Sequence, residues 1–563
     1  MWENGERARF WGVNIANRNL WVPRAEIDRV VGLLARAGTN LVRFEALDSR
    51  GGLLEVAGQP GTRHLDPQRL ELLQYWIMRC KENRIAYYLD LLDFREFKAE
   101  DGAEATLNRG GRPYAMFDPH LITLQKEYAT ALLTTRNPFT GLTPVEDPDF
   151  VLLEICNEHG FFLNPDLIAQ MVEPYQGRFR VMWNAWLLKR YTDREHLLAT
   201  WKRLGADENP TTGTVGLPTL VDPAGGRGPR GVDPRLADEV AFLQEVQRSY
   251  LKTMVEHLRS IGVKIPVTAV VSNDIAPDLA SVAAECDFLS ENFYADHPRF
   301  EGKEWEGKYR FRNLNQLREG GPGGFAPFTS ALRWANKPVV IREWGTVWPN
   351  RYRAASVPEA VAYASLQDFD GMLLFGYKTA EYADRLVFFG YQADPTVWGL
   401  YSLGAAMFLR GDIAPSSAQV TFVYTLATLL AFPNGVTDAH RLAWLLRVNA
   451  ETSEQVPQPL PPQKSPRSLS KTLEAGPLVL RTAASPASVV DVLASLGFSL
   501  WSARQRLQRG LYESSTGQVV LDTRNGQLRV QTPTACMVTG EIDAAEGVRA
   551  GALTVRTVSP IGT

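Results

Sequence analysis

Two stretches of this sequence end an apolar run in a carboxylate. The first is Val151-Leu152-Leu153-Glu154-Ile155-Cys156-Asn157-Glu158, followed by His159-Gly160. The second, far downstream, is Lys337-Pro338-Val339-Val340-Ile341-Arg342-Glu343-Trp344-Gly345. Each reads as a buried strand with a polar end. Parallel sheets carry their chemistry at the C-terminal ends of strands. Two carboxyls meeting there can divide a reaction between them. One, kept protonated, gives a proton to a leaving oxygen; the other, kept ionised, attacks carbon. Glu158 and Glu343 are the candidate catalytic pair.

Such a pair needs a scaffold that brings distant strand ends together. Strand patterns occur at Phe10–Ile15, Asn40–Phe44, Ile85–Leu91, Phe150–Cys156, Lys264–Val271, Asp287–Asn292, Pro338–Glu343 and Gly371–Phe375. Helical periodicity lies between them at Ala25–Ala37, Pro67–Asn83, Pro119–Leu133, Gly177–Leu204 and Arg235–Ile261, and a closing helix at Pro395–Leu409. Asp66 and Asp118 stand where N-caps belong. Alternating strands and helices over about 400 residues predict an α/β fold, a (β/α)8 TIM barrel enlarged by insertions. No GxGxxG or GxxxxGK[ST] signature follows any strand, which argues against a nucleotide-binding open sheet.

From about residue 411 the pattern changes to short β-type runs, with a turn signal at Asn525-Gly526. We read residues 1–410 as the barrel, with insertions at about 160–235 and 298–325. Residues 411–563 read as a mostly-β, sandwich-like accessory domain. A Gly/Pro-rich stretch spans Pro210–Pro234 and a proline-rich loop Gln455–Arg467. The chain has 563 residues, 45% hydrophobic and 22% charged, with a formal net charge of −3. That balance gives no basic face for nucleic acid. No apolar run of about 18 residues predicts a membrane span. The N-terminus lacks a signal-peptide pattern, so a cytoplasmic protein, or a secreted one whose signal has been removed, is expected. Cys80, Cys156, Cys286 and Cys536 are scattered and read as free thiols. No metal-ligand spacing occurs, and no cofactor is expected. The oligomeric state is not encoded in any of these features.

With the strands counted, the sequence resembles the clan A glycoside hydrolases, the family 5-like (β/α)8 enzymes, over about residues 10–410. Asn157-Glu158 after the fourth strand and Glu343 after the seventh carry the resemblance. It implies Glu158 as acid/base and Glu343 as nucleophile of a retaining β-glycosidase. It further implies that Arg43 keeps the nucleophile ionised, Asn157 meets the sugar 2-hydroxyl, and Tyr294 stands beside the nucleophile. Asp296-His297-Pro298, Phe408-Leu409-Arg410-Gly411-Asp412 and Glu513–Val520 are similar to bacterial cellulase-like proteins, which implies a β-linked glucan as substrate. A β-mannan or β-galactoside, transglycosylation, or a catalytically silent carbohydrate-binding barrel are the alternatives. The sequence departs from the clan pattern at Asn292, where a histidine is common, and at His159, where a second asparagine is common. At strand eight, Phe375 or Tyr377 replaces the usual tryptophan.

The remaining candidates follow from residue type. Trp344, Trp348, Phe293, Tyr377 and Trp305 could offer rings to a sugar's C–H face. Asp90 and Asp93 could shape the sugar site, and His120 and His64 could donate to it. Glu154, on the inward parity of Glu158 but deeper, should pair with an arginine, since a buried charge needs a partner. Trp183, Trp186 and Trp201 should pack in a core.

Overall fold

The computed structural model describes residues 2–3, 6–163, 165–220, 233–271, 275–302, 308–379, 384–431, 433, 435–455, 478–484, 488–489, 492, 510–542 and 547–556. Eight parallel strands make one sheet: β1 Phe10–Ala16, β2 Leu41–Glu45, β3 Ala86–Leu92, β4 Phe150–Asn157, β5 Val267–Val270, β6 Leu289–Ala295, β7 Val339–Thr346 and β8 Gly371–Leu374. Hydrogen-bonded neighbours run β5-β4-β3-β2-β1-β8-β7-β6. β5 and β6 meet at the remaining seam, where Asp287 N donates to Val267 O at 2.9 Å and Thr268 Oγ1 to Phe288 O at 2.7 Å. The sheet closes on itself as the expected (β/α)8 barrel.

Nine helices of the described residues wrap it: α1 Arg24–Arg36, α2 Pro67–Glu82, α3 Pro119–Thr134, α4 Tyr175–Tyr191, α5 Arg194–Trp201, α6 Pro234–Ser260, α7 Ala276–Glu285, α8 Ser356–Leu366 and α9 Pro395–Arg410. Short turns at Gln316–Glu319 and Phe325–Ser330 fill the place between β6 and β7. Four helices start with Asp-Pro: Asp66, Asp118, Asp233 and Asp394 each accept a backbone N–H from the first turn. The proline supplies a pre-set φ where no N–H is needed. The Gly177–Leu204 periodicity resolves into α4 and α5, with Asp193 capping the second. Its tryptophans pack as expected: Trp183 stacks on Trp186 at 5.6 Å and on Trp201 at 6.2 Å. α8 has no sequence signal because all eleven of its residues are buried, so no polar face marks its period.

An apolar plug fills the barrel's bottom, built from Phe10, Leu41, Tyr88, Leu152, Phe288, Val340 and Leu373. The next layer up is charged, and it leads to the mouth. Beyond the barrel, β9 Ala418–Tyr424, β10 Arg447–Thr452 and β11 Leu478–Ala483 form a parallel sheet with β9 central. β12 Leu511–Glu513, β13 Val519–Asp522, β14 Gln527–Gln531 and β15 Cys536–Gly540 form an antiparallel meander. The Asn525-Gly526 turn joins β13 to β14, with Gly526 at φ +59°. The expected strand at Arg441–Val448 begins only at Arg447, because Asp438–Trp444 is a 3₁₀ turn. Gln367 ties these elements to the barrel. Its side chain donates to Ala443 O and Leu446 O and accepts from Val448 N. The Pro210–Pro234 stretch is described only to 220 and from 233. The proline-rich run from 456 onward and Trp305 lie outside the described residues.

Candidate active site

β4 delivers its polar end by two departures from a regular strand. Against β5 its register runs Glu154↔Thr268 and then Asn157↔Val270, so β4 carries one extra residue. Such a bulge switches side-chain parity. Asn157 thereby takes the inward position that plain alternation gives to Glu158, which corrects the parity expected for that pair. Glu158 then reaches the mouth through a left-handed backbone, φ +53°. That conformation is uncommon for a residue with a side chain and is held by its surroundings. Gly160 N donates to Val271 O at 2.6 Å, and a Cβ on Gly160 would lie 1.9 Å from that oxygen. Only glycine allows this approach. Arg112 Nη2 donates to Asn157 O at 2.6 Å, and His159 fills the turn. Burial and Arg112 push the imidazole down to about 3, so it stays neutral. His159 is therefore a structural residue of the turn.

β7 uses the same device. Against β6 it pairs Ile341↔Glu291 and Glu343↔Asn292, so Arg342 is the extra residue. The bulge turns Arg342 and Glu343, neighbours in sequence, into one site. Arg342 Nη1 donates to Glu343 Oε1, and Arg342 Nη2 donates to Asn157 Oδ1 at 2.6 Å. Arg43 Nη1 reaches Glu343 Oε1 at 3.2 Å, and Tyr294 OH donates to Glu343 Oε2 at 2.6 Å. Burial works to raise the Glu343 carboxyl. Arg342, Arg43 and the tyrosine outweigh it and hold the group below its ordinary value. Glu158 has different company. Asn292 Nδ2 donates to its Oε1 at 2.8 Å, and no cation pairs with it among the described residues.

The layer beneath supports both guanidinium groups. Arg43 and Arg342 are fully buried and share Glu154, at 3.3 and 3.5 Å. Tyr88 OH donates to the same carboxylate at 2.8 Å. Glu154 is thus the buried arginine partner expected from its depth. Arg43 also contacts Asp90 Oδ2 at 2.9 Å and Glu45 Oε2 at 2.6 Å. Buried charges survive only when so matched.

Six expected residues therefore meet at the mouth: Arg43, Asn157, Glu158, Asn292, Tyr294 and Glu343. Four do not reach it as expected. Trp344 is 1% exposed and packs behind β7 against Trp11, in the layer of α9. Strand alternation turns it away from Glu343. Tyr377 is buried against Trp398 of α9 at 5.5 Å, and Phe375 instead presents its ring beside Tyr294 at 5.9 Å. Asp90 is consumed by Arg43 and by Ala46 N, so it positions Arg43 and offers nothing to a ligand. His120 is exposed at the start of α3, where its Nε2 contacts Asp101 O at 2.8 Å. Phe293 likewise faces Phe325 and Phe328. Arg342 and Glu45 are the members that sequence reading misses. Without the bulge, alternation puts Arg342 on the outer face. Glu45 shares Arg43's inward parity, a signal that was there to be used.

Replacing Arg342 by methionine is expected to raise the Glu343 midpoint by about one unit or more, since an opposite charge this close lowers a carboxyl by about one to three. Carbon-13 NMR of labelled glutamate carboxyls reads it, with Glu343→Gln as assignment control. An unmoved midpoint in a folded variant contradicts the described electrostatics.

No protein-family model matches the sequence, and no curated protein does. Solved structures share its fold. A β-galactosidase from Rahnella sp. R3 aligns at 15% identity and TM-score 0.52, over 80% of this chain and 65% of that one. A β-galactosidase from Marinomonas ef1 aligns at 13% identity and TM-score 0.50, over 84% and 75%. An endo-β-1,4-mannanase from Thermotoga petrophila aligns at 14% identity and TM-score 0.43, over 74% and 83%. At such identities the likeness is one of architecture.

Proposed function

We propose that the protein is a retaining β-glycoside hydrolase working by double displacement. The observation that carries this reading is the asymmetry of the two mouth carboxyls. Glu343 is buried between two guanidinium groups and a phenol, while Glu158 has one amide and no cation. A nucleophile must stay ionised, and a proton carrier must not be locked in that state. Glu343 attacks the anomeric carbon as Glu158 gives its proton to the departing oxygen. Water then gives a proton to Glu158, attacks the same carbon and frees Glu343. Arg342 fixes the Asn157 amide through its oxygen; its NH₂ group faces Asp93 with one hydrogen and keeps the other as a donor for the sugar's 2-hydroxyl.

The substrate class is a β-linked hexoside. A glucan comes first, from the sequence resemblance. The β-galactosidases among the fold neighbours add β-galactosides to the panel, and β-mannans join it as the other alternative that the resemblance implies. The test is proton NMR of the first-formed sugar from an aryl β-glycoside. The β-anomer must appear first and mutarotate later. Initial release of the α-anomer would refute double displacement.

A further inference from the structure

The mouth holds polar groups that neither step above uses. Glu45 closes β2 on the inward face, two residues after Arg43. Its Oε2 pairs with Arg43 and no hydrogen bond to its carboxyl occurs among the described residues; burial, with Glu343 and Asp93 nearby, pushes that carboxyl well above its ordinary range against the pull of Arg43. Lys378 follows β8. Its Nζ stands 5.6 Å from the centroid of the Phe375 ring, which itself lies 5.9 Å from the Tyr294 ring. Tyr294 in turn bonds Glu343. The lysine is half-buried, and no described carboxylate pairs with it at salt-bridge distance. Burial pushes its ammonium down to about 8, with Glu45 opposing that shift and Arg18 adding to it.

We propose that Glu45 and Lys378 are the recognition pair for the sugar bound over Glu343, taking neighbouring hydroxyls of one neutral hexose unit. The inference rests on Glu343 being the nucleophile. A vicinal diol both donates and accepts. The Glu45 carboxyl accepts a donated hydrogen bond at its carbonyl oxygen, and the Lys378 ammonium supplies the complementary ones. The Phe375 ring adds an apolar wall for the C–H face. The same pair sets limits on substrate. A uronate would bring its carboxylate beside Glu343, which is held ionised, so like charge disfavours acidic sugars. A substituent on the diol would forfeit the paired hydrogen bonds. The substrate class narrows to neutral hexosides with that diol free.

The experiment compares wild type, Lys378→Met and Glu45→Gln on p-nitrophenyl β-glucoside, β-galactoside, β-mannoside and β-glucuronide. Saturation-transfer NMR with the corresponding methyl hexosides reads binding without turnover. Wild type should favour a neutral hexoside over the glucuronide by about 100-fold. Each variant should lose about 30-fold in kcat/KM on the best substrate, the scale of a hydrogen bond to a charged group. The double variant should lose less than the product of the two, because they share one diol. The acid limb of the Lys378→Met pH profile should not move, which separates recognition from tuning of Glu343. Preference for the glucuronide overturns the proposal, as does a Lys378→Met variant within twofold of wild type. If no glycoside is cleaved, the glycosidase reading fails by itself. Methyl-hexoside signals lost in Lys378→Met would then still uphold the pair. Signals that persist unchanged in that variant, or that never appear with wild type, would reject it.

Discussion

Glu343→Ala is expected to lower kcat/KM on an aryl β-glycoside by on the order of 10⁵-fold, the scale seen when a covalent nucleophile is deleted. That corresponds to about 7 kcal/mol of barrier. No other carboxyl at the mouth is held as Glu343 is: Glu45 pairs with Arg43 alone. Glu158 faces Asn292, and Glu154 lies a layer below with its oxygens on Tyr88, Arg43 and Arg342. The fold should survive, because Arg43 and Arg342 keep Glu45, Asp90 and Glu154 as counter-charges. Circular dichroism and thermal unfolding check that. An α-glycosyl fluoride already carries a leaving group on the face Glu343 would occupy. With it and an acceptor sugar, the variant should form a new β-glycoside. A folded Glu343→Ala protein within tenfold of wild type would remove the nucleophile from this account.

Glu158→Ala should show an effect that depends on the leaving group. Loss of a general acid costs about 10²–10⁴-fold where the departing oxygen needs a proton. An alkyl β-glycoside should therefore suffer that loss in the first step. A dinitrophenyl β-glycoside leaves without a proton, so its first step should hardly change. Its second step should stall, because water has no base. Azide needs none, and should restore turnover with a β-glycosyl azide as product. Equal losses on both substrates, with no azide adduct, would show that Glu158 does not carry the proton.

Local chemistry made much of this fold readable. Asp-Pro starts fix helices within a turn, and most barrel strands are short apolar runs between turn residues, β6 with Ser290, Glu291 and Asn292 being the polar exception. Those features need no distant partner. The strand ends at Glu158 and Glu343 follow from the order of the strands, while Arg43, Asn157, Asn292 and Tyr294 enter through the resemblance to clan A glycoside hydrolases. What escaped depends on pairing. The bulges near Cys156 and at Arg342 exist only in the pairing with neighbouring strands, β5 for the first and both β6 and β8 for the second, and they decide which side chains face inward. Arg342, the residue that joins Asn157 to Glu343, was invisible for that reason. Trp344 shows the converse error. Its residue type suggested a sugar platform, while alternation from Glu343 already turned it toward the helices. α8 shows no helical period in the sequence because burial on all sides erases it.

The most direct measurement of the central claim is capture of the covalent intermediate. The protein is incubated with the dinitrophenyl 2-deoxy-2-fluoro glycoside of its best hexose, digested and sequenced by mass spectrometry. Fluorine slows both steps, and the good leaving group lets the first one proceed. One sugar per chain is expected, esterified to Glu343 in the peptide that contains Val339–Thr346. A label on Glu158, on Glu45 or on any other residue would contradict it, as would turnover of the parent glycoside by a protein that never becomes labelled.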